Sequence, residues 1–195
     1  MNITGVLNSI YDSAINGNAT ALANEYINRY GRTDEAIDRL VANQRRKCTL
    51  TGVLTGLGGA ITLPVTLPAD LVSSLIMQVN MIVAIAIIRG YDVESEEVRT
   101  LVFLCIIGNS IGDVLKQAGV KVLTNYTART ILPKLTQAVT KKVVLCVANK
   151  LLVKSSAKGL SSAAKAVPVL GAIVGGAYNY AEVSTYAKIA RERFN

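Results

Sequence analysis

The stretch TGVLTGLGGAITLPVTLPADL, residues 51–71, is rich in glycine and threonine, carries two prolines, and has no charge before Asp70. It reads in three ways: a phosphate-cradling loop, part of a membrane hairpin, or a tightly packed core helix. The phosphate reading fails on its chemistry. A P-loop follows its glycines with Lys-Ser/Thr, and a dinucleotide loop needs G-x-G-x-x-G directly after a strand. Here Gly56-Leu57-Gly58-Gly59 runs into Ala60 and Ile61, with no lysine and no preceding strand pattern. Close helix packing fits better. Gly52 and Gly56 stand four apart, as do Thr51, Thr55 and Gly59 in turn, a spacing that lets two helix backbones approach. Gly171 and Gly175, and Ala172 and Gly176, repeat it. Each helical glycine costs about 1 kcal/mol relative to alanine, and close packing is what offsets that cost, in lipid or in a buried bundle alike.

Outward from this stretch, residues 48–88 are 41 residues with a single charge, Asp70. Two helical arms of about 20 residues each have the length that crosses a bilayer core. Pro64 and Pro68 bracket the break between them, since proline lacks the backbone donor and clashes with the preceding turn. Pro68 suits the first turn of a new helix, where Asp70 meets the positive end of the helix dipole. The expectation is an apolar helical hairpin over about residues 48–89, turning at 64–68 and packed through Gly52, Gly56 and Gly59. Arg45, Arg46 and Lys47 precede it and Arg89 follows it, which places both ends on the positive, cytoplasmic side of a membrane.

The second arm carries a polar seam. Asp70, Ser74 and Gln78 are spaced i, i+4, i+8, with Asn80 on another side. In lipid such a seam faces a partner helix or water, and an ionisable residue there marks a functional site. In a bundle, Asp70 caps its own helix and the other two bond to nearby backbone. Both readings stand at this point.

The rest of the chain is helical in pattern. Val6 and Ile10, Leu22 and Tyr26, and Ala36 and Leu40 recur at helical spacing. Thr33 before Asp34 and Glu35 is a helix start with first-turn acids, and Arg45-Arg46-Lys47 suits that helix's C-terminus. Asp92–Glu97 opens another helix, which runs into Leu101–Ile107, apolar on every face and so buried on every face. Residues 121–148 read as one or two helices around Pro133. Residues 150–167 read as amphipathic, with Lys150, Lys154, Lys158 and Lys165 on one face. The fold class is all-α: a compact multi-helix bundle around the Gly/Pro-rich hairpin. Its 195 residues form one domain, with N-terminal amphipathic helices at 1–47, the hairpin at 48–89, and a basic helical second half at 92–195.

Composition bounds the function. Hydrophobic residues make up 51% and charged residues 17%, against about 25% charged in a typical soluble domain, so the chain is a membrane-associated protein or one with an unusually large core. It has no histidine, which excludes Ser-His-Asp and Cys-His catalysis and imidazole metal sites. Cys48, Cys105 and Cys146 lie far apart in apolar stretches, where free cysteine acts as a small hydrophobe. We therefore expect no enzyme, cofactor or metal, and a reducing cytoplasmic setting; the N-terminus lacks the basic start and apolar run of a signal peptide. Charge is split: residues 1–114 carry a net −3, and residues 115–195 a net +11. A basic half of that kind attracts lipid headgroups, nucleic acid or an acidic partner. The lysines lack interleaved aromatics and no base-reading motif is present, so no specific nucleic acid is expected.

The set Thr51-Gly52, Gly56-Leu57-Gly58-Gly59, Leu63-Pro64, Leu67-Pro68-Ala69-Asp70-Leu71, Gln78, Met81 and Arg89-Gly90-Tyr91 resembles the EcsC family of bacterial proteins. It is similar also to the hydrophobic domain often fused behind bacterial GTPase domains. The helix Val98–Gly112 and the segment Val167-Pro168-Val169-Leu170-Gly171 with Gly175-Gly176 match that family's later blocks, so the resemblance covers roughly residues 35–193. It implies a helical, membrane-associated accessory protein, the family being named from an ABC-transporter operon, and it implies no catalytic residue. Two functions follow as expectations. One is a non-enzymatic protein at the cytoplasmic face of the inner membrane, held by the 48–89 hairpin and by Lys150, Lys154, Lys158 and Lys165 on anionic lipid. The other is a soluble cytoplasmic adaptor, regulator or toxin-neutralising protein acting through a protein partner such as a transporter, a GTPase or a toxin.

Overall fold

The computed structural model describes residues 3–50, 69–121, 126–161 and 168–195; side chains are described except at 48–50, 69–71, 109, 154–161 and 168–179. Among the described residues every regular element is helical, as the apolar spacing predicts. α1 (Ile3–Ser13) passes through a single π-helical turn, Ala14–Asn18, directly into α2 (Ala19–Tyr30). Gly31 ends α2, its N–H donating to the Ile27 carbonyl at 2.8 Å. Thr33 then starts α3 (Asp34–Leu50) as expected, its hydroxyl accepting from the Ala36 N–H at 3.3 Å. The helix does not stop at the cationic cluster: with no proline or glycine there to break it, it continues to Leu50.

α4 (Ala69–Ile88) is the centre of the molecule, packed by α1, α2, α3, α5 (Glu96–Ile106) and α9 (Pro168–Arg193). From Gln78 to Ala86 every residue of α4 is buried. Each large aliphatic side chain enclosed in this way stabilises the fold by about 1.5–3 kcal/mol relative to leaving it in water. No helix among the described residues is long and apolar enough to cross a membrane. The described part of the hairpin's second arm is thus wrapped by its own bundle. The first arm and the turn, with Gly52, Gly56, Gly59, Pro64 and Pro68, lie outside the described residues.

α5 begins with Ser95 as N-cap, accepting from the Val98 N–H at 3.3 Å, with Glu96 and Glu97 in the first turn. Its run Val98–Ile106 is buried except for Arg99, as a helix apolar on all faces requires. A single helix over Val98–Gly112 does not form. Gly108 adopts φ +64°, a left-handed conformation that L side chains resist, and the chain kinks there before α6 (Ile111–Gln117). A short turn, α7 (Ala128–Ile131), leads past Pro133 into α8 (Gln137–Ser161). Residues 150–161 of the amphipathic segment expected at 150–167 are the latter part of this longer helix, and the remainder lies outside the described residues. α8 lies on the outside of the bundle against α1, α5 and α6.

Candidate functional site

The residues of the polar seam meet a residue that its spacing alone did not reveal. Gln78, 3% exposed, donates through Nε2 to Ser74 Oγ at 2.8 Å. Ser74 Oγ in turn donates to Glu182 Oε2 on α9 at 3.3 Å, and the buried Tyr186 hydroxyl donates to Glu182 Oε1 at 3.2 Å. Ser74 and Gln78 thus bond side chain to side chain, toward α9. Asp70 sits in the first turn of α4 with its side chain outside the described residues. Asn80 is buried on another side, as its register predicts.

The helix directions explain this meeting. Arg89, just past α4, lies 2.5 Å from Asp34 at the start of α3, and Arg191 near the end of α9 lies 2.5 Å from Asp38. α4 and α9 thus both run toward the beginning of α3. Further back from that junction, Arg45 on α3 meets Tyr180 on α9. The Arg45 guanidinium carbon stands 5.4 Å from the centre of the Tyr180 ring, which is 48% exposed.

Among the described residues, the groups with displaced proton affinity stay neutral. Burial pushes the Cys105 thiol up to about 12, against the opposing charge of nearby Arg193. Burial likewise raises Tyr11, outweighing Arg99, and Tyr126, outweighing Arg193. Tyr11 spends its hydroxyl on the Val93 carbonyl at 2.7 Å, with its ring 5.6 Å from Phe103 in an edge-on contact. Arg193 sits 4.0 Å over the Tyr126 ring and donates to the Tyr126 carbonyl at 2.8 Å. These groups brace the fold; none is an ionised nucleophile. Among the described residues no cluster of three His, Cys, Asp or Glu side chains is arranged to hold a metal ion. Asp113 is exposed on α6.

The basic half carries a series of exposed cations. Between residues 111 and 153 the chain has seven basic residues, Lys116, Lys121, Arg129, Lys134, Lys141, Lys142 and Lys150, and one acid, Asp113. All but Lys150 are exposed. Lys134 Nζ donates to the Lys121 carbonyl at 3.3 Å, and no ion pair among the described residues neutralises Lys116, Lys121, Arg129, Lys141 or Lys142. Of the four predicted surface lysines, only Lys150 has a described side chain, and it is half-buried. Lys154 and Lys158 stand in α8 with side chains outside the described residues, and Lys165 lies outside them altogether. The described open side chains of α8 are others. Val143, Val147 and Leu151 are buried, whereas Lys141, Lys142, Leu145 at 59% and Val153 at 71% are exposed. The adjacent Lys141-Lys142 pair was the available sequence signal for them.

The sequence pattern of the EcsC protein family matches residues 25–195, the greater part of the chain. Neither a curated protein nor a solved structure matches it.

Proposed function

The chain belongs to the EcsC protein family, and on that premise we propose that it is a binding protein, not a catalyst, held at the cytoplasmic face of the inner membrane by anionic lipid and accessory to a membrane system. The observation that carries this reading is the five exposed basic side chains between residues 116 and 142, Lys116, Lys121, Arg129, Lys141 and Lys142, that no described carboxylate neutralises. A lysine or arginine near an anionic leaflet contributes about 1 kcal/mol to binding, so these side chains suffice for reversible attachment. The enclosure of α4 by five other helices argues against threading that arm through lipid and in favour of peripheral attachment.

Fractionation of the expressed full chain tests the reading. Attachment by charge predicts recovery with membranes at low salt, and release by high salt or carbonate without detergent. Recovery in the supernatant at every salt concentration overturns it, as does retention that only detergent relieves.

One observation favours a second reading, an adaptor that binds a protein partner such as a transporter, a GTPase or a toxin. Arg45 over the exposed Tyr180 ring, and Arg39 5.8 Å from the Tyr30 ring, are side-chain types enriched in protein interfaces. Co-purification that persists in high salt, and is lost with Tyr180→Ala, supports this second reading.

A further inference from the structure

The open face of α8 mixes two kinds of side chain that a plain electrostatic patch does not need to mix. Lys142, Leu145, Asn149 and Val153 follow one another at steps of three to four residues, Lys141 precedes them, and all are exposed. The ridge runs for about 18 Å along the helix axis, and Leu152, also exposed, lies within it. On the opposite side Val143, Val147, Ala148 and Leu151 are buried against the bundle. The helix therefore carries apolar side chains on both sides, and on the outer one Leu145 at 59% and Val153 at 71% are open.

We infer that this ridge is a membrane-entering wedge: Leu145 and Val153 enter the headgroup–acyl boundary of an anionic bilayer while Lys141 and Lys142 hold lipid phosphates beside them. The inference rests on the membrane reading above and adds the residues that enter the lipid. Its occupant is chosen by side-chain chemistry. The cores of protein interfaces are enriched in aromatics, methionine and arginine and depleted of lysine, whereas the α8 ridge is aliphatic and lysine-flanked. Lysine beside aliphatics suits an interface whose apolar depth and anionic surface lie a few ångströms apart, because the long lysine stem packs along apolar groups while its ammonium reaches the phosphates.

The chain contains no tryptophan, so a single introduced one is a clean reporter. Leu145→Trp places it on the ridge, and Ala42→Trp places a control on the exposed side of α3. Each full-length variant is mixed at low salt with vesicles of phosphatidylcholine and phosphatidylglycerol carrying bromine on the acyl chains. Binding is followed in parallel by sedimentation, and helix content by circular dichroism. The wedge predicts that Leu145→Trp fluorescence shifts to the blue and is quenched by bromine, while Ala42→Trp fluorescence does neither. The double variant Leu145→Ser/Val153→Ser, folded to the same helix content, should bind these vesicles at least tenfold more weakly.

Three results overturn the wedge, and they are distinguishable. Sedimentation with the vesicles but no quenching at Leu145→Trp means attachment by charge alone, so the wedge fails and the membrane reading stands. No sedimentation with anionic vesicles at low salt removes both. A reporter at Leu145→Trp that is already blue-shifted without vesicles, and unchanged by them, means that another part of this chain or a second copy covers the ridge.

Discussion

Arg191 Nη1 lies 2.5 Å from Asp38 Oδ1, tying the last turns of α9 to α3 across 153 residues of sequence. The same guanidinium lies 3.9 Å from Asp34, which Arg89 also meets. Asp34 and Asp38 are well exposed, so water and salt screen this junction. A double-mutant cycle of Arg191→Ala with Asp38→Ala, read by urea unfolding, should give a coupling below about 1 kcal/mol that shrinks in high salt. The pair fixes which ends of the helices meet more than it adds stability.

The Gln78–Ser74–Glu182 chain behaves differently because its Gln78 end is buried and the other two residues are partly so. Ser74→Ala removes the acceptor for a Gln78 amide that has little access to water, at a cost of about 1–3 kcal/mol. Adding Gln78→Leu replaces that stranded amide with an apolar group of similar size. The double variant should therefore be at least as stable as Ser74→Ala alone in urea unfolding. A double variant whose losses simply add would show that the amide has another partner.

Cys105 makes the fold sensitive to alkali. Its thiol ionises near the ordinary value of 9 in the unfolded chain and is pushed up to about 12 in the folded one. The folded state therefore holds the proton more tightly. This contribution is fully present below about pH 9 and is lost as pH rises toward 12. Stability measured between pH 8.5 and 10.5 should fall, and Cys105→Val should flatten the fall. Under native conditions a thiol reagent should modify half-buried Cys146 well before Cys105, which should react only on unfolding.

Lys141 and Lys142 are exposed, whereas Lys150 is half-buried. Lys141→Gln/Lys142→Gln should weaken binding to anionic vesicles by about thirtyfold, the equivalent of about 2 kcal/mol. Melting temperature should stay unchanged within a degree or two. Lys150→Gln should have the smaller effect on binding. The reverse order would return the anionic surface to the face first expected from the lysine spacing.

How much of this was legible in the sequence depends on how local the signal was. The helix start at Thr33, and to within a few residues the one in Asp92–Glu97, could be read because a cap or first-turn acids lie close together in sequence. The burial of Leu101–Ile106 was legible because a helix apolar on every face has no side to give to water. The hairpin was harder. A long uncharged run gives the same pattern in lipid and in protein, and only the helices around α4 distinguish the two for the described arm. Glu182 was hidden because its partner Ser74 is 108 residues away; being one of only two acids in the basic half was the clue available. Lys141 and Lys142 were passed over for a related reason. The regular spacing of Lys150, Lys154 and Lys158 marks a stripe, but which stripe faces outward depends on where α1, α5 and α6 lie.

The most direct test of the central claim is sedimentation of the full, unmodified chain with vesicles of phosphatidylcholine alone or with added phosphatidylglycerol, each at low and high salt. Attachment through the exposed basic side chains between residues 116 and 142 predicts binding only to the phosphatidylglycerol vesicles, and its loss in high salt. Equal binding to both kinds of vesicle, or no binding to either, would contradict it.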